Sequence, residues 1–368
     1  MVPARWCPAA ASVIAFVARR PRSRPVADDP AVREELIMTS APPSQSPHSE
    51  SLPSDAAPSE VLRAPELARR PVRRERVVVV LAVVLVALIV CGWIPGVAGT
   101  IGAVLLPWLA IPLVLCLILA VWSARRSIVV LLVPTLLWAA AMVPAMPGVG
   151  SDAQGDPMVV VAQNVRAESG TAADSARAAV DEGAGVIALT ELDADSRAAA
   201  QSVLDADYPY RYEVGTEGIW SRYPLGAGEP LSLGLGWKRA ARVTVQAPAG
   251  DVSLYLVHAA SVRLGKQEGR DEMLSQVADV IAADRSERVL VVGDFNAAST
   301  DPALRPLRAA ADWVRPTGIS PGFTWPASAP VARIDHVFTR GLDVASSTSF
   351  RAGSSDHLAT RTVLAAGA

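Results

Sequence analysis

Residues 77–94 read VVVVLAVVLVALIVCGWI, 18 positions without a charge, and two similar runs follow at Ile101–Trp122 and Ile128–Ala145. A helix needs roughly 20 apolar residues to cross a hydrocarbon core about 30 Å thick. Three such runs in succession, with almost no polar face, do not suit the half-exposed helices of a small soluble domain. Pro107, Pro112 and Pro134 inside the runs are no obstacle, because proline is better tolerated in membrane helices than in soluble ones. The pattern therefore predicts three transmembrane helices, at about 77–94, 101–122 and 128–145, forming an anchor over residues 77–146. The whole chain is 51% hydrophobic. Most of that excess lies in the anchor, so the average conceals regions of different kinds.

Charge orients the anchor. Arg69, Arg70, Arg73, Arg74 and Arg76 precede the first run, the PGVAGT link after it carries no charge, and Arg125 and Arg126 separate the second run from the third. The positive-inside rule puts the N-terminus and the Arg125–Arg126 turn in the cytoplasm. The expectation is a multi-pass protein of the cell membrane, with everything after about Pro147 extracytoplasmic. Residues 1–76 are rich in Pro, Ser, Ala and Arg and cannot bury enough apolar surface to offset the entropy of ordering, so they read as a disordered cytoplasmic tail. The short apolar run Ala9–Val17 within it is followed by Arg19, Arg20, Arg22 and Arg24, the wrong flank for a signal cleavage site, and Met38 offers a second start. Residues 147–156, PGVGSDAQGD, read as a flexible linker.

Residues 157–368 have the pattern of a globular α/β domain. Strands are expected at 158–165, 185–190, 241–247, 252–259, 288–294, 333–339 and 357–365, and helices at 172–182, 196–205 and 267–284. Strands and helices alternate early and strands dominate late, which argues for sheets packed face to face with helices outside. The cysteines are Cys7, Cys91 and Cys116. None lies in this domain, so it has neither a disulfide framework nor a thiolate metal site.

Polar residues recur where apolar runs end: Asn164, Glu191, His258, Asp294, Asn296, Asp335, Asp356 and His357. Singly, each has an ordinary explanation, such as a turn cap, a surface carboxylate, a core histidine or an Asx turn. Together they mark one rim of a sheet sandwich, where strand ends and loops carry function. Hard oxygen ligands with two histidines suit Mg²⁺ or a similar cation combined with proton transfer. Zinc would favour more His or Cys.

The segments VVAQNV, VIALTELD, IWSRYPL, LYLVHAAS, VVGDFNAAS, RIDHVF and SSDHLA occur in the order seen in the endonuclease/exonuclease/phosphatase family, and the chain resembles a membrane-anchored bacterial branch of it. That family includes pancreatic-type deoxyribonucleases, abasic-site endonucleases, inositol polyphosphate phosphatases and sphingomyelinases. The resemblance implies a four-layer α/β/β/α sandwich over 157–368, two packed mixed sheets with helices outside, and a divalent cation, Mg²⁺ or Mn²⁺. It implies Glu191 as the metal ligand, with Asn164 close to metal and phosphate and Asp356 assisting. Asp294 would activate the attacking water, and Asn296 would hold a phosphate oxygen or that water. His357, oriented by Asp335, would contact the scissile phosphate, and His258 would protonate the leaving oxygen. Alternation along GDFN would turn Asp294 and Asn296 to one side and Phe295 to the other. Threonine precedes Glu191 where many members have glutamine. His336 stands where many have an aromatic residue, and it is left out of the expected site.

Between residues 151 and 368 there are 20 Lys and Arg against 27 Asp and Glu, a net charge of minus seven. A nonspecific nuclease draws much of its affinity from phosphate neutralisation on a basic surface, so acidity favours a lipid headgroup or small extracellular phosphoester over DNA or RNA. Trp220, Trp237, Trp313 and Trp325 are candidates to touch a lipid surface, or else ordinary core residues. A nuclease, an inactive family member acting as a binding module, and a membrane scaffold with a passenger domain are the alternatives. No obligate protein partner is evident, and the spans lack the intramembrane charges of a transporter.

Overall fold

The computed structural model describes residues 69–123, 125–152, 156–234, 238–262 and 267–365. Residues 1–68 of the expected 1–76 tail, and Trp237, lie outside the described residues; residues 69–76 differ from the expectation and are helical. The apolar runs fold into α1 (Arg69–Cys91), α2 (Val97–Leu105), α3 (Ala110–Ser123) and α4 (Ile128–Met142), with a 3₁₀ turn at Leu106–Leu109 carrying α2 into α3. Val78, Ala82, Leu85 and Ile89 recur every three to four residues along α1 and pack on Leu106, Leu109, Leu113, Cys116 and Leu131, as one helical face must. The opposite faces are equally apolar: Val83 is 62% exposed, Val129 69% and Leu136 67%. Surface of that kind is unfavourable in water and at home in hydrocarbon.

Two helical stretches, Val97–Trp122 and Arg125–Ala145, are long and apolar enough to cross a membrane. The first expected span differs from its prediction. The helix stops at Cys91 rather than 94, so its uncharged part from Val77 is roughly 22 Å long at 1.5 Å per residue, short of the ~30 Å core. It stops because the chain turns back on itself at two glycines. A Cβ on Gly102 would lie 2.6 Å from the Gly92 backbone, a distance that only glycine permits.

The rest of the chain forms two six-stranded sheets. Its elements are β1 (Met158–Asn164), α5 (Ala172–Asp181), β2 (Val186–Thr190), α6 (Ala194–Leu204), β3 (Tyr210–Val214), β4 (Glu217–Ser221), β5 (Glu229–Leu231), β6 (Ala240–Ala247), β7 (Gly250–His258), α7 (Gln267–Ala283), β8 (Val289–Asp294), α8 (Arg305–Ala310), β9 (Asp312–Trp313), β10 (Asp335–Arg340), β11 (Val344–Phe350) and β12 (Ala359–Leu364). The first sheet runs β11-β12-β1-β2-β4-β3 and the second β5-β6-β7-β8-β10-β9. β1/β2 and β7/β8 are parallel pairs, and the other pairs are antiparallel, so both sheets are mixed. Each parallel pair needs a crossover, which α5 and α7 provide.

The central strands are apolar throughout because both their faces are covered. Val160 and Ala162 of β1 meet Leu290 and Val292 of β8 between the sheets. Val161 faces α5 and α6, and Val289 and Val291 face α7 and α8. The result is the expected α/β/β/α sandwich. The start of the 147–156 segment is not a free tether: the Gly148 N–H donates to the Pro316 carbonyl at 2.8 Å and the Ser151 N–H to Ala345 at 2.9 Å.

Candidate active site

Three functional side chains stand in one row across the second sheet. His258 ends β7, Asp294 ends β8 and Asp335 opens β10, and the strand register sets His258 opposite Asp294 and Asp294 opposite Asp335. Gly293 makes this row possible. Its φ is +134°, and a Cβ there would strike the Val257 carbonyl, so the position before Asp294 admits only glycine. Beyond Asp294 the chain leaves the strand, with Asn296 in the left-handed region at φ +48°. Phe295 packs into the helix-side core against Phe338. Asp294 and Asn296 do converge, but through an Asx turn rather than strand alternation. The Asn296 N–H donates to Asp294 Oδ1 at 2.8 Å, and Asn296 Nδ2 donates to Asp294 Oδ2 at 3.2 Å and to the Ala259 carbonyl at 3.0 Å.

His357 reaches this row from the loop before β12. The Ser355 hydroxyl donates to the Asn164 carbonyl at 2.6 Å and accepts from the His357 N–H at 3.1 Å, while Gln163 Nε2 donates to the His357 carbonyl at 3.1 Å. His357 Nδ1 lies 2.9 and 3.2 Å from the two Asp335 carboxylate oxygens, and Nε2 lies 4.0 Å from Asp294 Oδ2. Burial opposes charge on this ring, but Asp335 and then Asp294 outweigh it and raise the pKa to about 10. His357 is therefore an imidazolium at neutral pH. Burial also raises the Asp294 pKa against the pull of His357, which makes Asp294 a stronger base than a solvated aspartate.

The first sheet supplies the other half. Asn164 ends β1, and its Nδ2 donates to Asp294 Oδ2 at 3.1 Å while its Oδ1 accepts from the Arg166 N–H at 2.9 Å. Asn164 thus orients Asp294. Glu191 follows β2 at φ +61°, a conformation unfavourable for a side-chain-bearing residue by about 1–2 kcal/mol. Its Oε2 accepts from the Ala167 N–H at 3.2 Å, and its Oε1 is 3.4 Å from His258 Nε2. Burial would raise the Glu191 pKa, but the His258 bond and charge, with Asn164 and Ala167, bring it down to about 2.

Several contributors were not singled out in the sequence. Glu217, fully buried at the start of β4, lies 3.3 Å from His258 Nδ1, so His258 sits between two carboxylates. Burial favours its neutral form, and Glu191 and Glu217 raise its pKa nonetheless, against the opposing charge of Arg239 beside both ring nitrogens. The visible signal was a carboxylate inside the apolar run VGTEGIWS. Arg270 of α7 had no such signal. It is 0% exposed; Nη1 donates to the Asn296 carbonyl at 2.8 Å and to Asp301 at 2.9 Å, and Nη2 to Thr100 of α2 at 2.8 Å. One guanidinium thus ties α2 to the loop carrying Asn296. His336 is a core residue: Nε2 donates to the Ala297 carbonyl at 2.8 Å, Nδ1 accepts from Trp313 Nε1 at 3.0 Å, and burial holds its pKa well below 6.5. Trp220 is fully buried, so it is not a lipid contact.

The expected metal set was Asn164, Glu191 and Asp356. Among the described residues, the acidic and histidine side chains whose donor atoms converge within 4.8 Å are Asp294, Asp335 and His357. The His357 cation offsets one of the two carboxylate charges in that trio. Glu191 is different: it is ionised, its side chain is 30% exposed, and each carboxylate oxygen keeps spare lone pairs. With Asn164 beside it and no thiolate in the domain, the donor set fits a hard divalent cation. Asp356 is half-buried next to His357 and supports its charge.

A two-sheet sandwich with a carboxylate, amide and imidazole cluster at one rim is the framework of a phosphoester hydrolase. The model of the endonuclease/exonuclease/phosphatase family matches residues 158–357, and the chain belongs to that family, whose members are metal-dependent phosphoester hydrolases. Similar solved structures include a family protein from Bacteroides vulgatus (17% identity, TM-score 0.48, covering 57% of this chain and 99% of that one). Staphylococcus aureus beta toxin with bound magnesium ions (15%, 0.47, 57% and 100%) and Streptomyces griseocarneus sphingomyelinase C (15%, 0.45, 57% and 100%) are also similar. No curated protein is significantly similar to this chain.

Proposed function

We propose that the protein is a membrane-tethered phosphoesterase dependent on a divalent cation, which hydrolyses the ester of a lipid headgroup or a small extracellular phosphate ester. The observation that carries this is the convergence of Asp294, Asp335 and His357 beside the ionised Glu191. Asp294, made more basic by burial, takes a proton from water as its oxygen attacks phosphorus. The His357 imidazolium, held by Asp335, stabilises charge growing on the phosphoryl oxygens. Asn296 and Asn164 hold Asp294 in place. As the bond from phosphorus to the leaving oxygen breaks, His258 protonates that oxygen, and Glu191 and Glu217 favour the charged ring beforehand. Mg²⁺ or Mn²⁺ at Glu191, with Asn164 beside it, would supply Lewis-acid neutralisation of phosphoryl and leaving oxygens.

The anchor supports the localisation. α1 packs along α3 and α4 and meets the Arg125–Ser127 turn, which groups the arginines at one end of the bundle. Three crossings, the first completed by snorkelling arginines, leave the N-terminus cytoplasmic and the catalytic domain extracytoplasmic. The test uses the full chain in detergent with 4-nitrophenyl phosphate, bis(4-nitrophenyl) phosphate, sphingomyelin in mixed micelles and duplex DNA. Turnover of a lipid or small ester that EDTA abolishes is expected. Faster cleavage of DNA would make the protein a nuclease, and no turnover of any ester would leave a binding module.

A further inference from the structure

We propose that the crevice between the anchor and the catalytic domain binds one acyl chain of a bilayer lipid. The crevice has a volume of about 250 Å³ and is lined by Val104, Pro107, Trp138 and Met142 from the anchor and by Thr300 and Phe323 from the catalytic domain. It exceeds the ~150 Å³ apolar cavities that stay dry and take up benzene. The inference rests on the reading of the chain as a membrane-tethered phosphoesterase, and adds a site for the apolar part of a lipid.

Three observations select this occupant. First, Val104, Pro107, Trp138 and Met142 belong to the two stretches apolar enough to cross a membrane, so in a bilayer the molecules at hand are acyl chains. Second, the crevice adjoins the catalytic loop. Ala298, Ser299 and Thr300 form part of its wall and lie two to four residues after Asn296, and the Thr300 hydroxyl donates to the Ala103 carbonyl of α2 at 3.3 Å. Trp108 Nε1 donates to the Val331 carbonyl at 3.0 Å, and its ring lies 6.0 Å from that of Phe323, which fixes the wall further. Third, the lining includes Arg333, 3% exposed, whose Nη1 has no hydrogen-bond partner. A buried guanidinium N–H without an acceptor is costly. The ester or amide carbonyl at the head of an acyl chain is an acceptor that an aqueous apolar ligand lacks. Arg333 Nε donates to the Asp335 carbonyl at 3.2 Å, so a chain anchored there stands close to the reacting groups.

The experiment is photolabelling of the full chain in nanodiscs of phosphatidylcholine doped with a phosphatidylcholine bearing a diazirine at one chain terminus, followed by peptide mapping. Adducts are expected to concentrate on 104–110, 138–146 and 298–300 above the level at the outward-facing Val83, Leu115 and Val129. Val104→Trp, at a half-buried helix position, is expected to lower the crevice adducts at least fivefold and leave hydrolysis of bis(4-nitrophenyl) phosphate unchanged. Adducts confined to the outward faces in the unsubstituted protein, or crevice labelling unaffected by V104W, would overturn the proposal. Labelling needs no turnover. A labelled crevice in a protein that hydrolyses no ester would uphold the site and contradict the enzymatic reading, and hydrolysis without crevice labelling would do the reverse.

Discussion

Replacing Asp335 with asparagine removes the charge that most favours the His357 imidazolium. Burial pushes this ring toward neutrality, yet Asp335 and Asp294 lift its pKa to about 10 from an ordinary 6.5. At ~1.36 kcal/mol per unit, that is roughly 4–5 kcal/mol in favour of the charged form. Asp294 remains 4.0 Å away in the variant, so only part of the shift is lost; a close opposite charge is worth about 1–3 units. The sign follows from the raised pKa. The imidazolium is present below about 10 and disappears as pH rises through that value, so the alkaline limb of the wild-type rate lies near 10 and that of Asp335→Asn falls by roughly two units. The acid limb belongs to Asp294, which cannot accept a proton while it holds one. Asp335 helps raise the Asp294 pKa, so this limb also moves to lower pH. The assay is the pH–rate profile of the full chain on a soluble diester, paired with NMR titration of ring-labelled histidine. An alkaline limb that does not move, or a wild-type His357 titrating near 6.5, would refute the reasoning.

Asp294→Ala and His357→Ala are each expected to lower kcat by about 3 kcal/mol or more, roughly a hundredfold, with a double mutant far less than additive; wild-type rates in either folded variant would remove that residue from the chemistry. Arg270→Met strands the buried Asp301 carboxylate, 2% exposed, and is expected to cost about 3–5 kcal/mol of stability, against about 1.5–3 kcal/mol for Thr100→Val; denaturant unfolding in detergent measures both. External protease on intact cells is expected to remove an epitope placed at Ala368, and protection until lysis would contradict the extracytoplasmic reading.

Much of the candidate site was legible because several of its members end apolar runs: Asn164 closes MVVVAQN, His258 closes VSLYLVH and Asp294 closes RVLVVGD. A buried strand advertises itself in composition, and a polar residue at its end stands out. What was not legible was either weakly apolar or dependent on three dimensions. β11, VASSTSF, and β3, YRYEV, are edge strands with one face toward water, so their composition is mixed and gives little signal. The Asn296 turn depends on a left-handed backbone that alternation does not reveal. Glu217 and Arg270 act through partners 41 and 26 or more residues away, and no local pattern records such a pairing. The first helix was overcounted because Gly92, Trp93 and Ile94 are apolar enough to extend a span, but the close approach of Gly92 and Gly102 turns the chain before they can.

The central claim is that a divalent cation at Glu191 works with Asp294 and His357 on a phosphate ester. A metal titration of the EDTA-treated full chain tests it most directly, run in parallel on the wild type and Glu191→Gln. The substitution keeps the shape of the side chain and removes its charge. The wild type is expected to be inactive without metal and restored by Mg²⁺ or Mn²⁺, and Glu191→Gln to need a higher concentration for half activity and to reach a lower maximal rate. Full activity in the absence of any divalent cation, or identical titration curves for the two proteins, would contradict it.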